Sequence, residues 1–159
     1  MRPEFVERKL QLIAEDLGRL AEFRDLTHED FVADAVRLAA IERMLERIVL
    51  RAIDVNEHLI STLATGREQR TTRLTYRETF LALVEPGVLT AELAARIAPS
   101  AGLRNVLVHE YNDVDHRIVH RAIRSALGDY AAYVDAVQAF VDRQRRAASD
   151  GEGADGSSS

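Results

Sequence analysis

The chain lacks cysteine altogether and contains only three prolines and a single lysine, Lys9. Without cysteine it can form neither a disulfide framework nor a thiolate metal site, and it has no cysteine nucleophile. It also lacks a long uninterrupted apolar run, and its first residues have no apolar core of the kind found in signal peptides. We therefore expect a cytoplasmic protein without a membrane partner.

The balance of charge is acidic, with a formal net charge of -5 and a pI near 5.6. Such a chain is not suited to coat nucleic acid, because phosphate binding draws on a surplus of lysine and arginine. Any contact with RNA must therefore be local. The basic charge comes almost wholly from arginine, whose planar guanidinium suits bidentate contacts with phosphate, although biased codon usage would give the same composition.

Apolar residues recur at helical spacing along most of the chain, and no hairpin, repeat or glycine-rich phosphate loop is found. The pattern predicts an all-α protein, an antiparallel bundle of about five helices. In this interpretation residues 1–147 form a single helical domain, and the Ser/Gly-rich residues 148–159 form a disordered tail. The predicted helical segments cover approximately residues 3–26, 28–64, 76–84, 90–99, 103–110 and 116–147, where Pro99 interrupts the fourth helix and the chain restarts at residue 103.

The second predicted helix, 28–64, would reach about 55 Å, more than the diameter of a small domain. Its apolar stripe runs from Phe31 to Leu63 and is widened by residues such as Val32 and Val36. A stripe this broad predicts burial against a second chain as well as against its own bundle. A homodimer is the economical interpretation.

Two further groups of polar residues have open roles. The segment 66–75 carries three arginines, with Arg77 just beyond it, and is either a solvated loop or a place for a phosphate backbone. Asp54 and His58 are one helical turn apart, and a hydrogen bond between them inside the bundle would be structural. The three arginines of the segment are Arg67, Arg70 and Arg73.

One segment, 104–111, contains the side chains most suited to chemistry. His109 can exchange protons near neutral pH and Arg104 can stabilise charge on phosphate oxygens, so the pair could cleave RNA through attack by its 2′-hydroxyl. Asn105 and Tyr111 lie in the same segment. On one ideal helix, however, Arg104 and His109 are about 140° apart. Two copies facing each other across a dimer interface would solve this geometry.

An arginine followed at this distance by a histidine is weak evidence by itself. In a chain this rich in arginine, about two such pairs are expected by chance, and two are found. The second is Arg51 with His58 in the long predicted helix. The arginine–histidine spacing alone therefore does not show which of the two pairs carries the chemistry.

The wider context of the segment is more specific. Residues 102–111 read Gly-Leu-Arg-Asn-Val-Leu-Val-His-Glu-Tyr, and this run resembles the HepT family of the HEPN superfamily. The resemblance extends back to residue 43 and forward to residue 115, whereas the first helix and the tail match least. It implies a dimeric five-helix bundle of the HEPN type, with paired Arg-x4-His-x-Tyr motifs along a cleft between protomers.

The same resemblance implies a function, namely a metal-independent endoribonuclease that acts as a toxin on RNA, without a cofactor or a DNA partner. Its partner would be an MntA-like nucleotidyltransferase antitoxin that transfers AMP to Tyr111. The implied roles are proton transfer for His109, a phosphate clamp for Arg104 and an orienting or phosphate-contacting amide for Asn105. AMP would add negative charge beside Arg104 and occupy the space that an RNA phosphate needs.

Two non-catalytic interpretations remain open. The chain would be a helical binding subunit that partners a small nucleotidyltransferase, or a structural dimer whose interface the motif locks. In either case His109 would be a buried, satisfied histidine, Arg104 an interface ion pair and Asn105 a helix cap. The sequence carries no base-reading signature, so it does not separate tRNA, mRNA and rRNA as substrates.

Overall fold

A computed structural model describes residues 1–64, 73–103 and 116–154, which form helices and turns with no strand among them. The predicted all-α class is confirmed. Of the helices described, none is both long enough and apolar enough to cross a membrane. The elements are α1 (Pro3–Ala21), α2 (His28–Ala33), α3 (Ala35–Leu63), α4 (Tyr76–Leu81), α5 (Ala91–Ile97), a 3-10 helix (Ala98–Gly102) and α6 (His116–Ala154).

The three longest described helices, α1, α3 and α6, pack against one another and form the body of the bundle. α1 runs antiparallel to α6, because Glu7 near its start binds Arg145 at 2.9 Å, while the Arg24 carbonyl just beyond its end lies 3.0 Å from the His120 ring nitrogen. The short α4, α5 and 3-10 helices pack on each other and on α3 and α6. One apolar core runs through all of these helices.

The predicted continuous helix 28–64 is wrong, since the chain breaks at Asp34 into α2 and α3. Asp34 has extended backbone angles, φ -139° and ψ 92°, and its carboxylate accepts a hydrogen bond from the Arg37 backbone N–H at 3.0 Å. An aspartate in this position caps a new helix, so no proline or glycine is needed for the break. α2 begins with a capping box, in which Thr27 accepts from the Asp30 backbone N–H and the Asp30 carboxylate accepts from the Thr27 backbone N–H.

Several helix ends also differ from the predicted ones. α1 ends at Ala21 rather than near residue 26, and α4 ends at Leu81, followed by turns that include Gly87 with a positive φ of 79°. The largest difference is at the end of α6, which continues through residues 148–154 rather than ending near residue 147. A formed helix gains one hydrogen bond for each residue added, and no proline stops this one. Residues 155–159 lie outside the described residues.

A buried carboxylate joins α1 to α3. Asp16 is 1% exposed, and its two oxygens accept hydrogen bonds from Arg47 at 2.8 and 3.2 Å, from Arg51 at 2.9 Å and from Arg19 at 3.2 Å. Burial of a charge is costly unless it is paired and hydrogen-bonded, and here each oxygen has more than one charged donor. This cluster therefore stabilises the pairing of α1 with α3.

We expect Asp16→Asn to lower the free energy of unfolding by about 3 kcal/mol, because three guanidinium groups lose their common anion. This value is the lower end of the range of about 3 to 5 kcal/mol for removing one partner of a buried ion pair, because the arginines are partly exposed. Glu15→Gln is the matched control: Glu15 is the exposed neighbour on the same helix, and its change should stay within about 0.5 kcal/mol. Urea denaturation measures both, and equal stabilities would contradict a role for the Asp16 cluster.

Candidate functional site

The four residues predicted to carry the chemistry, Arg104, Asn105, His109 and Tyr111, lie outside the described residues, as do Arg67 and Arg70 of the predicted basic segment. The predicted helix at 103–110 lies there too, apart from Leu103, and so do residues 112–115. The surroundings of the motif are described on both sides, up to Leu103 and again from the start of α6.

Leu103 lines a cleft of about 380 Å³ whose opposite wall is the first part of α6, including Ile118 and Arg121. The two described ends of the chain that flank segment 104–115 therefore adjoin one cleft. Most of its surface is apolar and comes from α3, α5, the 3-10 helix and α6. The residues that contribute this apolar surface are Leu45, Ile48, Val49, Ile97, Pro99, Leu103, Ile118, Ala122 and Ala126.

Several polar groups that line this cleft have structural partners. Tyr130 shares a hydrogen bond of 2.6 Å with Ser100, whose hydroxyl is also 2.6 Å from the Ile97 carbonyl. Burial raises the pKa of Tyr130 well above its usual range, and the bond to Ser100 opposes the shift only partly. Arg96 binds Asp129 at 3.1 Å. These contacts hold the 3-10 helix and α5 against α6.

Arg121 also lines a second, shallower cavity of about 480 Å³ at the start of α6. Its remaining side chains come from the start of α2, from the turn before α2 and from α6, and they include His28, Arg117 and His120. The described lining contains basic side chains and no acidic one. A basic surface therefore lies directly beside the apolar cleft.

Helical geometry separates the two faces of α6 in this region. Val119, Ile123 and Ala126 are buried in the core, whereas Arg117, Arg121 and Arg124 are exposed. Residues at positions i, i+4 and i+7 share one face of a helix, so the three arginines form a stripe. We call Arg117, Arg121 and Arg124 the arginine stripe. The spacing of the three arginines is visible in the sequence. The apolar pattern of α6, however, predicts only that the helix packs on the core and does not indicate a function for these arginines.

The predicted hydrogen bond between Asp54 and His58 does not form. Asp54 binds Lys9 at 2.9 Å, and His58 accepts a hydrogen bond from the Arg2 backbone N–H at 3.1 Å while its ring lies 5.0 Å from that of Phe5. Burial is the main cause that lowers the pKa of His58. Both residues thus hold the start of α1 against α3. Their role is structural, as predicted, but their partners are Lys9 and Arg2 rather than each other.

The second arginine–histidine pair has a structural explanation as well. Arg51 donates to Asp16 and to the Leu12 carbonyl, at 2.9 and 3.2 Å, and His58 lies against the start of α1. Neither side chain is available for a shared reaction. Of the pairs that the sequence offered, Arg104 with His109 is the one that keeps a catalytic interpretation.

The remaining predicted basic residues, Arg73 and Arg77, are exposed. They stand before and after the cap of α4, where Thr75 accepts from the Glu78 backbone N–H at 3.2 Å. Within residues 1–64, 73–103 and 116–154, no group of three or more histidine, aspartate or glutamate side chains is arranged to hold a metal ion.

Comparison with known proteins gives a family match over most of the chain. The model of the family described as ribonuclease HepT-like matches residues 5–137. A protein of Aphanizomenon flos-aquae named tRNA nuclease HepT is 38% identical over 141 residues, which cover 89% of this chain and 92% of that protein. A protein of Shewanella oneidensis named mRNA nuclease HepT is 26% identical over 95 residues, covering 60% of this chain and 68% of that protein.

Solved structures share the fold. A toxin–antitoxin structure with AMP-PNP matches with a TM-score of 0.71 and 21% identity, covering 86% of this chain and 98% of the matched chain. A tri-AMPylated Shewanella oneidensis HEPN toxin in complex with MNT antitoxin matches with a TM-score of 0.69 and 22% identity, covering 85% and 97%. At these identities the likeness shows the arrangement of helices.

The buried tyrosine in the cleft predicts a loss of stability in alkali. The folded chain holds the Tyr130 proton, whereas the unfolded chain releases it above its ordinary pKa of 10.0. The free energy of unfolding should therefore fall as the pH rises past about 10, by up to about 1.4 kcal/mol per pH unit for this group.

Tyr130→Phe should reduce this slope, and Tyr76→Phe, at an exposed tyrosine, is the matched control that should retain it. Urea midpoints between about pH 8 and 11, either side of the ordinary tyrosine pKa, measure the effect. Identical slopes for Tyr130→Phe and the wild type would show that Tyr130 does not contribute.

Proposed function

Since this chain belongs to the HepT-like ribonucleases, we propose that it cleaves RNA at segment 104–111 as the toxin of a toxin–antitoxin system. The observation that carries the proposal is the 38% identity to a tRNA nuclease over 92% of that protein's length. A match of this extent makes tRNA the first substrate to test. Arg104 and His109 lie inside the range of residues that the family model matches.

The proposed reaction uses the 2′-hydroxyl of the RNA as its nucleophile. His109 takes the proton from this hydroxyl, the 2′-oxygen forms a bond to phosphorus, and the bond to the 5′-oxygen breaks. The products are a 2′,3′-cyclic phosphate and a 5′-hydroxyl, which receives a proton. Arg104 stabilises the negative charge that develops on the phosphate oxygens, and Asn105 orients the phosphate. No step of this scheme requires a metal ion.

We further propose that the site is completed in a homodimer. On one regular helix Arg104 and His109 would be about 140° apart, so a single copy would place them on different faces. Two copies related by a twofold axis would present the arginine of one protomer and the histidine of the other to the same phosphate.

The proposed regulation is transfer of AMP to Tyr111 by an MntA-like nucleotidyltransferase antitoxin. It is supported by the similarity to a tri-AMPylated HEPN toxin bound to an MNT antitoxin, which shares the fold. Each AMP would bring a negatively charged phosphodiester next to Arg104, where the RNA phosphate must bind. Modification and substrate would then compete for the same guanidinium group.

We expect His109→Ala to reduce cleavage of tRNA by at least about 100-fold in the presence of EDTA, because proton transfer by a positioned side chain contributes about this much or more. His58→Gln is the matched control: glutamine keeps an acceptor for the Arg2 N–H, and the position belongs to the α1–α3 contact. Gel analysis of the RNA fragments measures the rates. Equal cleavage by wild type and His109→Ala, or no cleavage by the folded, unmodified wild type, would favour the non-catalytic binding subunit.

Tyr111→Phe should remove the acceptor hydroxyl for AMP while leaving the RNA backbone contacts in place. Incubated with the cognate nucleotidyltransferase and ATP, this variant should show no mass increase and should keep cleaving RNA. The exposed Tyr76 provides the control, since Tyr76→Phe should still be modified and inactivated. Transfer of AMP to Tyr111→Phe would place the modification elsewhere.

A further inference from the structure

The arginine stripe on α6 stands out in a chain whose overall charge is negative. The sequence between residues 116 and 128 contains three arginines and two histidines and no aspartate or glutamate, although the formal net charge of the chain is -5. Arg117 and Arg124 are seven residues apart, which corresponds to about 10.5 Å along the helix. The stripe therefore offers a row of guanidinium groups long enough to follow a backbone.

Several arginines of the bundle are engaged in ion pairs, and in this they differ from Arg121 and Arg124. Arg47, Arg51 and Arg96 bind buried or half-buried carboxylates. Within the part of the chain that the structure describes, Arg121 and Arg124 have no acidic partner. A guanidinium group that has no carboxylate to neutralise is available for an external anion.

The position of the stripe connects it to the proposed site of cleavage. Arg121 and Leu103 line the same cleft, and Leu103 directly precedes Arg104 in the chain. Arg121 also lines the basic cavity with His28 and His120. A strand that lay along the stripe would therefore lead to the point where the catalytic segment begins.

We propose that the arginine stripe is the surface on α6 that binds the phosphate backbone of the RNA substrate. This inference rests on the proposed ribonuclease function for the identity of the ligand. The phenylalanine and tyrosine that line the two described cavities, Phe31 and Tyr130, are buried and offer no face on which a base could stack. Contacts between guanidinium groups and phosphate oxygens position the RNA without reading its sequence.

The test is binding of tRNA to a catalytically inactive protein. In a His109→Ala background, the triple change R117Q, R121Q and R124Q should weaken binding at least about 10-fold at about 100 mM salt. Each lost phosphate contact should also reduce the slope of log affinity against log salt by about 0.7 to 0.9, so the triple variant should lose about two units or more. Fluorescence anisotropy at several salt concentrations measures both quantities.

The matched control is the triple change R8Q, R43Q and R146Q in the same background, which removes equal charge from exposed arginines outside both cavities. It should keep at least half of the affinity and most of the salt slope. Circular dichroism and urea denaturation verify that both triple variants fold. Equal losses in the two variants would overturn the proposal, because general charge would then explain the effect.

In proteins that retain His109, the KM for tRNA of the stripe variant should be about 10-fold higher than that of the wild type, while kcat changes less than about twofold. The reason is that the stripe contacts the RNA equally in the ground state and in the transition state. If the stripe variant loses RNA binding but the wild type does not cleave RNA, the ribonuclease function is contradicted and the role of the stripe in RNA binding is supported. If the stripe variant binds and cleaves RNA as the wild type does, the role of the stripe is contradicted and the ribonuclease function is supported. Unchanged RNA binding with loss of nucleotidyltransferase binding would also overturn the proposal, in favour of a protein partner.

Discussion

The hydrogen bond from the Tyr133 hydroxyl to Asn56, 2.7 Å long and fully buried, is the contact on which the arrangement of the other elements depends. Asn56 in turn donates to Thr79 at 3.2 Å, so one polar group joins α6, α3 and α4. One turn earlier on α6, Tyr130 binds Ser100 of the 3-10 helix. Buried polar groups are costly unless they are satisfied, and this requirement allows few other arrangements of these helices. The cleft that Leu103 lines is therefore walled by elements that the two tyrosines hold in place.

The same helix carries the core on one face and the proposed RNA contact on the other. Burial of Val119 and Ile123 orients α6, and this orientation presents Arg121 and Arg124 to solvent next to the cleft. An acidic protein can bind RNA in this way, because the positive charge is concentrated where the substrate must lie. Holding the backbone and cutting it would then be separate tasks, one for the stripe and one for segment 104–111. AMP on Tyr111 would act on the second task by occupying the phosphate position.

Much of the fold could be predicted because the signals are local. Thr27 and Thr90 cap helices, a role that threonine side chains favour, and apolar spacing located most of the helices. The break at Asp34 was missed because apolar spacing continues across it and aspartate also occurs inside helices. The helical end of α6 was missed because Ser/Gly-rich composition suggests disorder, whereas a helix already formed extends at little cost.

The sequence by itself determined the all-α class and, through the contiguous run at residues 102–111, the family, whereas the roles of Arg104 and His109 stay a prediction. Only the tertiary structure decided the partners of the polar residues. Asp16 meets Arg47, 31 residues away, and Asp54 meets Lys9 in place of the nearby His58. The physical reason is that helical spacing records which residues share a face, whereas the choice among charged partners depends on how the helices pack. The arginine stripe became visible for the same reason, since its exposure and its place beside the cleft are properties of the packed bundle.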